Sequence, residues 1–147
     1  MLIESYKELA KFAKVSLELQ FIKNDTFSKY NERMSSLLDI IRNIGNFNAR
    51  NNKLIAATFQ NFYESLPKLY LNEGNPNNGS FLFQEVKIVG DDTIILSTYH
   101  HIDNETLQEI KQLVNDYGRS IKADEHSVSY NEIADDFGYT IIKFWWD

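Results

Sequence analysis

The hydrophobic pattern of this chain changes period once, and the change falls on "NEGNPNNG", residues 72–79. Before that stretch, apolar residues recur every three or four positions, the spacing that lines one side of a helix. After it they alternate or run together, as in strands. Gly, Asn and Pro so close together favour turns and break both kinds of element. The expected fold is therefore α+β: a helical part of two to three helices over residues 1–71, a mobile loop at 72–79, and a small antiparallel sheet with one packed helix over residues 80–147. A chain of 147 residues, 43% of them hydrophobic, is expected to form a single compact domain with a sizeable core.

In the first half, Ile3, Tyr6, Leu9, Ala10, Ala13, Leu17 and Phe21 predict a helix over residues 2–22. Glu4, Lys7, Glu8, Lys11, Lys14 and Glu18 interrupt it too often for a signal segment or a membrane span, so a cytoplasmic protein is expected. "NDT" offers capping side chains for a second helix, whose stripe runs through Phe27, Tyr30, Met34, Leu37, Leu38, Ile41 and Ile44 and stops at Gly45. A third helix is predicted over residues 52–65 and ended by Pro67, with Phe59 and Tyr63 off its narrow stripe.

In the second half, "SFLFQEVKIV" and "TIILSTYH" flank "GDD" and predict an antiparallel hairpin. A helix should follow, capped by Asp103, stapled by Ile102 and Leu107, buried through Leu107, Ile110, Leu113, Val114 and Tyr117, and ended by Gly118. "GYTIIKFWWD" predicts a last strand with Tyr139, Ile141, Lys143 and Trp145 on one face and Thr140, Ile142, Phe144 and Trp146 on the other. The order is strand, strand, helix, an open segment, strand. Residues 129–146 can form either a strand hairpin or a helix-turn-helix.

Charge divides the chain in the same place. Residues 1–72 carry ten Lys and Arg against seven Asp and Glu, a net +3, while residues 73–147 carry five against fourteen, a net −9. An acidic surface repels phosphate backbones and favours basic partners. The absence of cysteine removes disulfides, thiol nucleophiles and thiolate metal sites. His100 and His101 stand at the end of the second predicted strand, where adjacent side chains point to opposite faces, so chelation by the pair needs an irregular turn or the help of His126 with Asp124 or Glu125. Neither a metal nor another cofactor is expected. The acid pairs Asp91–Asp92, Asp124–Glu125 and Asp135–Asp136 lie in predicted turns, and no phosphate loop, nucleophile elbow or zinc-protease helix is present.

Two stretches resemble known motifs. "SYNEIADDFGYTIIKFWW" resembles the helix-turn-helix of bacterial DNA-binding regulators: Ala134 and Gly138 match its close-packing positions, Ile133, Phe137, Tyr139 and Phe144 its apolar ones, and Ser129 with Glu132 a capping box. The resemblance implies a DNA-binding regulator, although "TIIKFWWD" offers only Lys143 to read bases. "LPKLYLNEGNPNNG" is similar to the Leu-Pro and Asn-Gly elements of a bacterial immunity-protein superfamily.

The function expected is that of a small acidic protein-binding module without enzymatic activity. It would be an inhibitor or immunity-type protein, bacterial or phage, anti-defence or antitoxin-like, docking on a basic surface of a nucleic-acid-acting enzyme. The residues expected to meet that partner are Asp91, Asp92, Asp135 and Asp136 as an acidic rim, with Tyr139, Trp145 and Trp146 as aromatic anchors. No contact with nucleic acid or membrane is expected. The alternatives are the DNA-binding regulator and a metal-dependent hydrolase using His100, His101 and His126.

Overall fold

The computed structural model describes residues 14–16, 24–43, 51–70, 79–90, 92–134 and 137–147. Within them, three helices pack on one face of a five-stranded antiparallel sheet, the expected α+β arrangement, with a two-stranded ribbon beside it.

Helix α1, Asn24–Asn43, buries Tyr30, Met34, Leu37 and Ile41, which follow one another at helical spacing. Helix α2, Asn52–Ser65, begins where the Asn51 side chain accepts from the Leu54 N–H. It ends at Leu66, which turns extended because Pro67 follows. Phe59 and Tyr63 are buried although they leave the narrow stripe, because α2 is covered on more than one side. Tyr63 packs with Tyr30 of α1 at 6.3 Å, while Phe62 stacks on Tyr117 at 4.4 Å and meets Phe144 edge-on at 5.5 Å. Tyr63 also donates its hydroxyl to the Phe83 carbonyl.

Three strands differ from expectation, among them β2, Lys68–Tyr70, which falls in the half expected to be helical. β1, Lys14–Ser16, falls inside the helix predicted over residues 2–22, whose other positions lie outside the described residues. Its pairing with β4, Glu85–Val89, with Val15 opposite Val86, supplies backbone partners to a strand that would otherwise be a bare edge. "SFLFQEVKIV" is two strands in place of one. β3, Gly79–Phe81, pairs with β2, Lys68–Tyr70, whereas β4, Glu85–Val89, joins the large sheet. Gly79 therefore belongs to a strand, and the rest of the predicted mobile loop lies outside the described residues.

β4 and β5, Thr93–Thr98, form the predicted hairpin, with Val89 opposite Thr93 and Gly90 at φ 63°, a left-handed conformation suited to glycine. Helix α3, Asn104–Ser120, is capped as expected: Asp103 accepts from the Thr106 N–H at 2.7 Å. It runs two residues past Gly118, the predicted stop. Lys122 takes the left-handed position at φ 55°, and the Ala123 N–H donates to the Gly118 carbonyl while Lys122 donates to Arg119, a Schellman closure.

β6, Glu125–Ala134, and β7, Phe137–Trp145, form a hairpin, so residues 129–146 are not a helix-turn-helix. The period-two alternation of His126, Val128 and Tyr130 with Ser127, Ser129 and Asn131 favours a strand, and the ladder to β7 satisfies its backbone. Gly138 has a different duty from the one a helix-turn-helix gives it. A Cβ there would fall 2.5 Å from Cε2 of Tyr130, so glycine lets the tyrosine ring cross β7.

The sheet order is β1-β4-β5-β7-β6. Val86, Ile88, Ile94, Leu96, Ile142 and Phe144 point to the helices and are fully buried. The other face carries Ile95, Tyr99, Tyr139, Ile141, Lys143 and Trp145 at partial or high exposure. None of the described helices is long and apolar enough to cross a membrane.

Candidate protein-binding surface

The alternation along β7 sends Phe137, Tyr139, Ile141, Lys143 and Trp145 away from the helices. Thr98 pairs with Thr140, so the next residue of the chain, Tyr99, falls beside Tyr139 on this outer face. The two rings stack at 4.5 Å, and Tyr99 also stacks on Phe137 at 6.0 Å. Despite this stacking, Tyr99 is 55% and Phe137 42% exposed. Ile133, 62% exposed, occupies the bulge of β6 next to Ala134, the residue paired with Phe137. A bulge leaves one residue without a ladder partner and re-aims its side chain, which here turns an isoleucine to solvent.

The Tyr139 hydroxyl is held above its ordinary pKa, first by burial, then by a hydrogen bond with Tyr99 and the nearby Tyr99 and Glu85 charges; a hydrogen bond with Ser97 opposes them.

Of the expected acidic rim, Asp92 is the one residue among those described. Asp91, Asp135 and Asp136 lie outside the described residues. Asp92 is partly exposed, accepts from the Thr93 hydroxyl at 2.8 Å, and neighbours Trp145, which pairs with Thr93. Phe137 begins β7 at its opposite end, eight steps or about 26 Å from Trp145. Tyr139 and the partly exposed Trp145 therefore share a face but not a cluster. Trp146 is no anchor: it is 1% exposed, and its indole N–H donates to the Ile121 carbonyl at 3.2 Å. The last strand alternates, and its even-numbered face is the one the helices cover.

The histidines serve separate neighbourhoods. His101 Nδ1 lies 3.2 Å from Glu132 Oε1 and 3.3 Å from the Tyr130 hydroxyl, which also accepts from the Ile102 N–H at 3.4 Å. His126 Nδ1 meets Asn115 Oδ1 at 3.1 Å. Tyr130 and His126 are four positions apart on β6, about 13 Å, so His101 and His126 do not converge. Among the described residues, no three His, Asp or Glu side chains gather as a set of metal ligands.

A concavity of about 430 Å³ opens between α2 and α3, lined by Thr58, Phe62, Ser65, Leu113, Asp116 and Tyr117 among others. The Thr58 and Tyr117 hydroxyls lie 3.0 Å apart across it.

Three residues of the outer cluster, Tyr99, Phe137 and Ile133, were not among those expected to meet a partner. Tyr99 follows the end of a strand, and the other two match apolar positions of a helix-turn-helix. Extending the β5–β7 register by one residue is the signal that finds Tyr99. No protein-family model, curated protein or solved structure matches the chain.

Proposed function

We propose that this chain is a small protein-binding module, not an enzyme, that works in the cytoplasm as an inhibitor or immunity-type protein. Its partner is a nucleic-acid-acting enzyme of bacterial or phage context with a basic surface. The observation that carries the reading is the stacked, solvent-facing cluster of Tyr99, Tyr139 and Phe137. Contiguous exposed aromatic surface favours burial against another protein, and tyrosine contributes large contact area at small entropic cost. The net −9 of residues 73–147 supports a basic partner, whose approach it would accelerate. The β6–β7 hairpin leaves no recognition helix at residues 129–146, which disfavours the DNA-binding regulator.

The test is affinity capture from the host lysate with the wild-type chain and a Tyr99→Ser, Phe137→Ser double variant. A basic protein should be retained by the first and lost by the second, with an association rate that falls as salt rises. Equal retention by both chains, or a rate indifferent to salt, would remove the reading.

A further inference from the structure

β6 is the last strand in the sheet order and has β7 on one side only; none of the described residues pairs with its other edge. In an antiparallel strand alternate residues turn both N–H and C=O to the same side, so a ten-residue edge leaves about five of them available for pairing. Edges are usually blocked by Lys, Pro or a bulge. β6 has no Lys, Arg or Pro, and its bulge comes only at its end, between Glu132 and Ala134.

Helix α3 forms a wall along this edge. It lies antiparallel to β6: Gly118 and Asn115 meet His126 near the start of the strand, and Ile102, just before the helix, meets Tyr130 towards its end. The flank bearing Leu113 and Asp116 faces α2 across the concavity described above, so the flank bearing Asn115 looks out beyond β6. One helical turn from Asn115 on that flank is Lys111, about 6 Å along the axis, or two strand residues beyond His126, near Val128.

The two acids of β6 already have partners: Glu125 with Lys143 at 3.5 Å and Glu132 with His101 at 3.2 Å. Lys111 and Arg119 make no ion pair with any described residue. The charge that the α3 flank offers a ligand, on Lys111 and Arg119, is therefore positive, against the sign of the acidic half as a whole.

We infer that the free edge of β6 and the overhanging flank of α3 receive one extended segment of a partner protein, paired to β6 by its backbone and carrying a carboxylate opposite Lys111. This is strand addition, with the helix wall supplying selectivity. A second copy of the chain fits less well. Self-pairing would bring two β6 strands to about 4.8 Å, each carrying its own α3, whereas packed helices need about 8–10 Å between axes. A lone segment brings no helix. Apart from Ile133, at the bulge that ends β6, the groove shares no residue with the Tyr99 cluster, and it does not rest on the function proposed from that cluster.

The test uses the full chain and two short blocked peptides that alternate Thr and Val around one central residue, Glu in one and Lys in its twin. Binding is read by amide hydrogen exchange and backbone chemical shifts. The Glu peptide should slow exchange along β6 and bind about tenfold more tightly than the Lys twin, since an exposed attractive pair is replaced by like charges. Lys111→Glu, a change at a surface position, should reverse the preference. Equal binding of the two peptides, no binding, protection elsewhere than β6, or β6 protected without peptide in a chain that sediments as a dimer would each overturn the inference.

Discussion

His126 lies so close over Gly118 that a Cβ on residue 118 would fall 2.4 Å from the His126 Cβ. The atom in the way is next to the backbone, so it cannot swing aside as a side-chain tip would. In an exposed helix interior, alanine would stabilise relative to glycine by about 1 kcal/mol. Here overpacking of about 1–3 kcal/mol should prevail. Gly118→Ala is expected to lower the urea midpoint while leaving the m-value unchanged, which shows a stability change without a new unfolded state.

Thr140 is fully buried in β7, and its hydroxyl has no hydrogen-bond partner among the described residues. A buried hydroxyl without a partner costs desolvation and returns nothing. Thr140→Val keeps the shape and should stabilise by about 1 kcal/mol, raising the melting temperature by a few degrees. Thr140→Ser keeps the hydroxyl, removes a methyl and should destabilise by about 1 kcal/mol. Calorimetry on the two variants gives opposite signs if the hydroxyl is orphaned and the same sign if it is not.

Burial pushes the Tyr117 hydroxyl up to about 12 from its ordinary 10.0, a rise that the hydrogen bond with Thr58 partly offsets. Tyr30 and Tyr63 are also raised, both chiefly by burial, Tyr30 further by the Glu64 charge. Below pH 10 all three are protonated whether the chain is folded or not, and stability should not vary on their account. Above it the unfolded chain ionises first, so stability falls as pH rises towards 12, with Tyr117 alone contributing about 2–3 kcal/mol. Denaturant midpoints measured across alkaline pH should decline from pH 10, and Tyr117→Phe should flatten the decline.

The Asp103 carboxyl is held below its ordinary 3.8, first by the hydrogen bond from the Thr106 backbone. A depressed carboxyl contributes stability above the unfolded pKa and loses it as pH falls through the folded one. Fraying of the first turn of α3 should therefore begin below pH 3.8, seen as faster amide exchange at Thr106. Asp103→Asn, which caps without titrating, should remove that pH dependence.

Much of the architecture is written in local signals. The stripe Tyr30, Met34, Leu37, Ile41 and the Asn51 and Asp103 caps define helices from neighbours in the sequence. The odd and even faces of β7 are equally legible, but which face the helices cover is a tertiary fact, and it sends Trp146 to the core while Tyr139 and Trp145 stay partly exposed. At Lys14–Ser16 the local pattern favours a helix because three residues carry little period, and the strand state of β1 depends on β4, some seventy positions away. The β6–β7 hairpin competed with a helix-turn-helix because Ala134 and Gly138 suit either. Gly138 is decided by the Tyr130 ring, a contact that spacing alone does not reveal. The outer cluster depended on Tyr99, whose place follows only once β5 and β7 are known to be adjacent.

Trp145 and Trp146, successive in the chain, report on two different environments. Trp146 is sealed with its N–H on the Ile121 carbonyl, while Trp145 looks out from the sheet opposite Thr93. Their fluorescence is therefore a two-channel signal. In a Trp145→Phe chain the remaining emission should shift to the red only when the interior opens to water, whereas in a Trp146→Phe chain a quencher in solution reaches the indole of the native molecule. Shielding of that second indole, with the first unchanged, would mark something settling on the sheet without disturbing what lies beneath it.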